Sequence, residues 1–278
     1  MPAALSSVFI DSFDSELKLA YQGTKSLRDT VRVKTGVVGS THKFPKAGKG
    51  VATQHNSGND VTAMNAGRSR VPVTLSGWDA FDYEDIIDIT KINFDDKKVI
   101  ASNTASAIGR REDQLIIDAL AASYNATVGD GTTAPTVAII AQAKRILDEN
   151  NVPGEDRTLV HSSYFLEDLL NITAVTSADF NSVRALVKGD LDTYLGCKFK
   201  MIGGRTEGGL PFSNAPTNTK RYNFAYHKQA VGLAIGKEMT AMVDWVPQKT
   251  AWQIGCVYSA GAGVIDSEGN IRIWTSEA

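Results

Sequence analysis

The chain has 278 residues, 42% of them hydrophobic and 22% charged, and a net charge of −2. That is enough to bury a sizeable core as one large domain or two smaller ones, and a pI near 6.1 argues against a dedicated nucleic-acid binder, whose domain is usually strongly basic. Cys197 and Cys256 form no C-x-x-C pair, the first residues lack the basic and apolar regions of a secretion signal, and no apolar run approaches the ~20 residues of a membrane span. A soluble protein with two reduced cysteines is expected.

Residues 1–29 place Phe9, Phe13, Leu17 and Tyr21 at steps of four, which predicts a short amphipathic helix on a polar arm. The helix would either pack on its own core or belong to an extended arm that grips a neighbour. In residues 30–46 Val31, Val33 and Val37 favour strand, and residues 70–75 (RVPVTL) resume that alternation. Between them, residues 47–69 are rich in Gly, Asn, Ser and Ala and can bury little. Two strands around a polar loop of that length predict a protruding hairpin, and such loops are commonly functional.

Charge is split across this region and the next. Residues 30–75 carry Arg32, Lys34, Lys43, Lys46, Lys49, Arg68 and Arg70 against the single acid Asp60, a net of +6. Residues 76–100 carry Asp79, Asp82, Glu84, Asp85, Asp88, Asp95 and Asp96 against Lys91, Lys97 and Lys98, a net of −4. The basic arm of one copy could then lie on the acidic surface of another, with the seven cations and Asp79, Asp82, Glu84, Asp85 and Asp88 as the contact residues. This points to an assembly subunit, not a catalyst.

From Asp95 to about Asn125, Ile100, Thr104, Ile108, Leu115, Ile116, Ala119 and Leu120 recur near helical spacing. The paired aspartates suit the positive end of a helix dipole, while Gly109 is a candidate break. A continuous helix would be a rod of roughly 45 Å. Downstream the pattern is mixed: a helix over 136–150, a strand at 157–161, a short helix at 163–170, a strand at 198–202, a glycine-rich loop, and a strand-rich tail with a hairpin turn at Asp266–Asn270.

Recognisable catalytic patterns are missing. His42, His55, His161 and His227 fall in separate segments with no metal-ligand spacing. His161 beside Ser162 and Ser163 invites a hydrolase reading, as does His227 with a nearby serine, but no G-x-S-x-G elbow is present. KAGKGVAT fails the phosphate-loop pattern because Lys49 is followed by Gly50, and AGAGV at 260–264 leaves no room for a dinucleotide unit. Neither metal nor cofactor is expected.

The order of parts resembles the major capsid proteins of tailed bacteriophages, which share the Hong-Kong-ninety-seven-type fold. The resemblance is carried by Arg110-Arg111-Glu112-Asp113 through Ile117, Ala119 and Leu120, then NNVPGEDRTLVHSSYFLEDLL, LGCKFKMIGG, YNFAYHKQAVGLAIGKEM and the closing GVIDSEGNIRIW. It implies an α+β fold with an N-terminal arm (1–29), an extended loop (30–75), a peripheral domain with a spine helix (76–132 and 246–278) and an axial domain (133–245). In that family the extended loop lies across the neighbouring subunit's peripheral domain. The resemblance further implies an icosahedral shell of hexamers and pentamers, made in a bacterial host's cytoplasm and ending in the virion. A separate scaffolding protein, a portal protein, a decoration protein and nonspecifically contacted double-stranded DNA are the implied partners, with no membrane. A compartment shell of the encapsulin type is the alternative within the same fold.

Overall fold

The computed structural model describes residues 22–58, 60–89, 96–172, 193–215 and 218–277. Phe9, Phe13, Leu17 and Tyr21, the expected arm helix, lie outside these residues. In chain order the first elements are β1 (Arg32–Lys34), β2 (Thr41–Ala47), β3 (Arg68–Thr74), β4 (Ser76–Asp85), α1 (Ile86–Ile89), α2 (Asp96–Ala122) and β5 (Ala126–Val128). They are followed by α3 (Val137–Glu149), β6 (Arg157–His161), α4 (Ser163–Leu170), β7 (Thr193–Tyr194) and β8 (Cys197–Met201). The tail holds β9 (Phe212–Ala215), β10 (Asn218–His227), β11 (Val231–Val246), β12 (Ala251–Val264) and β13 (Asn270–Glu277). The expected α+β class is the observed one.

Three sheets organise these strands. A four-stranded sheet runs β1-β11-β12-β4, a seven-stranded sheet runs β5-β13-β10-β6-β8-β7 with β9 beside β10, and β2-β3 stand as a separate hairpin. Pairing cuts across the expected segment boundaries. Arg32–Lys34 is not part of the hairpin but lies parallel to β11, pairing Val33 with Leu233. The closing strands are not a hairpin either: Asp266 caps a short turn that carries the chain from β12 in one sheet to β13 in the other. β13 takes its partners from β10 and β5, so residues 270–277 belong with the seven-stranded sheet.

The helix α2 spans 27 residues, about 40 Å, and runs unbroken through Gly109. It serves as the shared beam of the two larger sheets. Its Ile108, Ile116, Ile117 and Leu120 sit in one cluster with Phe224 and Tyr226 of β10, Val231 and Leu233 of β11, and Tyr258 and Ala260 of β12. On its other face the seven-stranded sheet carries α3 and α4, where Ile140, Leu147, Phe165 and Leu169 meet Leu159, Ala225, Ile271 and Ile273. Strand alternation divides the sheet: Phe224 and Tyr226 face α2 while Ala225 between them faces α3 and α4. Cover on both faces explains why all five residues of β6 are buried. Asn270 donates from Nδ2 to the carbonyls of Leu120 and Ser123, satisfying otherwise orphaned acceptors at the end of α2.

Candidate assembly interface

The hairpin is fastened to the body at its root. Phe44 of β2 and Val73 of β3 are buried with Ala234 and Ile265, and Val37 and Leu75 pack beside them. The AGAG run of β12 makes this seat possible. A Cβ on Gly261 would stand 2.0 Å from the Thr74 carbonyl oxygen, so only glycine lets the root lie flat on the strand.

Beyond the root, Lys43, Arg68 and Arg70 are exposed and form no ion pair with another described residue. Arg32 and Lys34 are exposed on β1, with the Arg32 guanidinium 5.7 Å from the Phe44 ring centre. Two of the expected contact cations form ion pairs within their own chain. Lys46 pairs with Asp266 at 2.9 Å and Lys49 with Glu268 at 2.7 Å, both on the turn between β12 and β13. The hydrogen bond from the Lys49 ammonium to Glu268 holds that ammonium above its ordinary range.

The acidic partners sort in the same way. Asp79 and Asp82 are exposed on β4, the outermost strand of the four-stranded sheet among the described residues. Glu84 is 5% exposed, on the strand face shared with Trp78 and Ala80, and lies 3.9 Å from Lys97 of α2. Asp85 accepts the Ile87 backbone N–H at 2.7 Å and so caps its own chain. The Asp88 side chain lies outside the described residues.

A third set of residues escaped the sequence reading. Asp113 of α2 is 0% exposed and binds the root of the N-terminal arm. It accepts the backbone N–H of Ser26 and of Leu27 and the Ser26 hydroxyl, each at 3.0 Å. Arg205, from the glycine-rich loop after β8, closes the cluster with Nη2 at 3.0 Å from Asp113 and Nη1 donating to the Thr24 carbonyl. One carboxylate thus ties together arm, spine helix and a loop of the seven-stranded sheet. Gly109 belongs here too, since a Cβ on it would meet the Lys25 backbone nitrogen at 3.0 Å.

Next to Asp113, Glu112 is 3% exposed and accepts the Tyr258 hydroxyl at 2.6 Å. Burial and this acidic neighbour push the Tyr258 phenol far above its ordinary range. Arg28 spans from Glu112, at 3.7 Å, to Glu238 of β11, to which it donates twice. The clue in the sequence was spacing: Glu112 lies four residues from both Ile108 and Ile116, on the apolar side of the helix.

The histidines that invited a hydrolase reading have structural settings. His161 is 0% exposed, lies against the Phe165 and Phe199 rings, and makes a 2.8 Å Nδ1 contact with the Ser162 carbonyl. The Ser162 hydroxyl is committed as the N-cap of α4. His227 accepts the Gln229 N–H on Nδ1, and burial pulls its pKa below the ordinary value. Among the described residues no group of three or more His, Cys, Asp or Glu could hold a metal, and no helix is long and apolar enough to cross a membrane.

Comparison with solved structures returns the same architecture. A protein titled Mycobacterium phage Che8 superposes with a TM-score of 0.75 at 18% identity, covering 97% of this chain and 98% of that one. The capsid structure of cyanophage P-SCSP1u gives 0.77 at 16% identity over 100% and 96%. The capsid of a native GTA particle gives 0.73 at 14% over 98% and 97%. No curated protein matches the chain. The family model for phage capsid protein matches residues 5–277, which does not favour the encapsulin-type alternative. A spine helix bridging two sheets, an anchored hairpin and this end-to-end family match together place the chain in the phage capsid protein family, as a major structural protein of the capsid that assembles into shells.

Proposed function

We propose that the chain builds an icosahedral head of hexamers and pentamers around double-stranded DNA, with the basic hairpin of each copy lying on the acidic β4 edge of its neighbour. The observation that carries this reading is the pairing of unspent charges. Lys43, Arg68 and Arg70 project from the hairpin without intrachain acids among the described residues, and Asp79 and Asp82 are exposed on the body. A head-to-tail contact between two different patches generates rings when the rotation closes. In this reading α2 and the four-stranded sheet form the peripheral domain, and the seven-stranded sheet with α3 and α4 forms most of the axial domain.

A separate scaffolding protein guides the curvature, a portal protein occupies one vertex, and a decoration protein can cover the finished shell. DNA is contacted nonspecifically through basic residues on the inner face, so that contact weakens with salt. The shell is built in the host cytoplasm and becomes part of the virion. Electron microscopy of the expressed chain, alone and with its scaffolding protein, tests the proposal. Closed shells, tubes or polyheads support it, and a monodisperse monomer at high concentration with scaffold present refutes it.

A further inference from the structure

The strands of the seven-stranded sheet carry three arginines, Arg157, Arg221 and Arg272, and two of them face carboxylates. Arg157 pairs with Asp148 at 2.7 Å and Arg221 with Glu277 at 2.8 Å. Arg272 of β13 forms no ion pair with a described residue and is held by aromatic rings instead. Its guanidinium carbon lies 4.0 Å from the Tyr124 ring centre, 5.0 Å from that of Tyr222 and 5.6 Å from that of Trp274. Its Nε donates to the Thr127 hydroxyl at 3.1 Å, while its two terminal amino groups have no acceptor among the described residues.

Lys220 of β10 repeats the arrangement beside it. Its ammonium lies 5.0 Å from the Trp274 ring centre and reaches a backbone oxygen, that of Asp130, at 3.4 Å. The Asp130 carboxylate accepts from Thr132 instead. Tyr222 and Trp274 are cross-strand partners stacked 5.3 Å apart at 17°, which gives both cations one firm platform. Lys220, Tyr222, Arg272 and Trp274 share the sheet face that α2 covers at Phe224 and Tyr226. The helix ends at Ala122, and beyond it these four side chains and Tyr124 are partly exposed.

An arginine fixed on rings loses little rotamer freedom when it binds, and its open fork suits the paired oxygens of a phosphate. By register Lys220 stands opposite Ser276, four residues along β13 from Arg272, or about 13 Å. Two fixed cations at that separation suit a polymer that presents charge continuously along its length. We propose that Arg272 and Lys220 hold backbone phosphates of the packaged double-stranded DNA. The rings position the cations and do not stack on bases, which a duplex keeps paired. The inference rests on the reading that the shell encloses DNA. It adds which residues meet the duplex, and it turns this face of the sheet toward the interior.

Duplex binding by the full-length subunit tests it, with fluorescent double-stranded DNA of mixed sequence as the probe and salt varied from about 50 to 200 mM. Each phosphate contact contributes about 0.9 to the slope of log K against log salt. Arg272→Gln and Lys220→Gln should each lower the slope by about one, and the two together by about two. Arg272→Lys, which keeps the charge, should restore most of it, and Lys144→Gln on α3, across the sheet, should leave it unchanged. Parent slopes in both glutamine variants overturn the inference, as does an equal fall in the Lys144→Gln control. Displacement of the probe by inorganic phosphate at equal ionic strength, or variants that lose polyglutamate binding but keep duplex binding, would assign the cations to other anions and overturn it too. If the unsubstituted chain binds no duplex at low salt, the DNA reading itself falls, and this inference with it. Urea midpoints check folding; should Arg272→Gln unfold, Lys220→Gln, which gives up one carbonyl contact, decides the question.

Discussion

Replacing Asp113 by alanine removes one carboxylate and strands several groups at once. The backbone N–H groups of Ser26 and Leu27 lose their acceptor, as does the Ser26 hydroxyl, and Arg205 loses its charge partner. Each orphaned donor costs about 1–3 kcal/mol where water cannot replace the acceptor. Breaking a buried ion pair from one side costs about 3–5 kcal/mol. The terms overlap, since the arm root would peel away and rehydrate, so a total of about 3–5 kcal/mol is expected. That is a large share of the ~5–15 kcal/mol typical of a domain. Urea unfolding of the unassembled subunit reads the loss as a lower midpoint, and limited proteolysis reads the freed arm as faster cleavage within residues 22–31. Asp113→Asn, which keeps the shape and one oxygen, should fall between. An Asp113→Ala midpoint within about 0.5 kcal/mol of the parent, the range of ordinary surface changes, would refute the clamp.

Gly261→Ala should lift the hairpin root, because the new methyl would occupy the space of the Thr74 carbonyl. The check is hydrogen exchange, with faster exchange across β2 and β3 and little change in α3; uniform protection would contradict it. His227 supplies a pH dependence. Burial depresses its folded pKa below the ordinary 6.5, so the unfolded chain binds more protons between those two values. Stability is therefore fully present above about pH 6.5 and falls as pH drops toward the folded pKa. Asp148 and Asp156 are held low, by hydrogen bonds from Lys144 and Lys198 in turn, and act only in more acid solution. His227→Asn, which can still cap the turn, should flatten the urea midpoint across pH 5–7, roughly the titration range of histidine, and an unchanged slope would remove His227 as the cause. Purified particles boiled in detergent should run as monomers, since the contacts described are noncovalent; a ladder of multimers would show cross-linking.

Local signals carried much of the fold. The recurrence from Ile100 to Leu120 marked α2, Thr136 and the run after it marked α3, and RTLVH marked a strand. The valine-rich segments around a Gly, Asn and Ser stretch marked the hairpin. Pairing partners were not legible, because register depends on strands far away in the chain. β1 reads as a natural extension of β2, yet it joins β11 some 200 residues later, as the Arg32–Gly232 register records. The clamp was hidden for the same reason. Two adjacent carboxylates on a helix read as solvated, and their partners are distant in the chain: Ser26 and Arg205, 87 and 92 residues away, hold Asp113, and Tyr258 holds Glu112. Of the charge split, net sign was legible but spending was not: Lys46, Lys49 and Glu84 had partners in their own chain.

The most direct test of opposite charge between neighbouring copies is a reversal with its compensation. Lys43, Arg68 and Arg70 are changed together to glutamate, and particle yield is measured by sedimentation and electron microscopy at low salt, where screening is weakest. Loss of particles is expected, with recovery when Asp79 and Asp82 are changed to lysine in the same chain. Unchanged yield in the first variant, or no recovery in the second, would contradict the account.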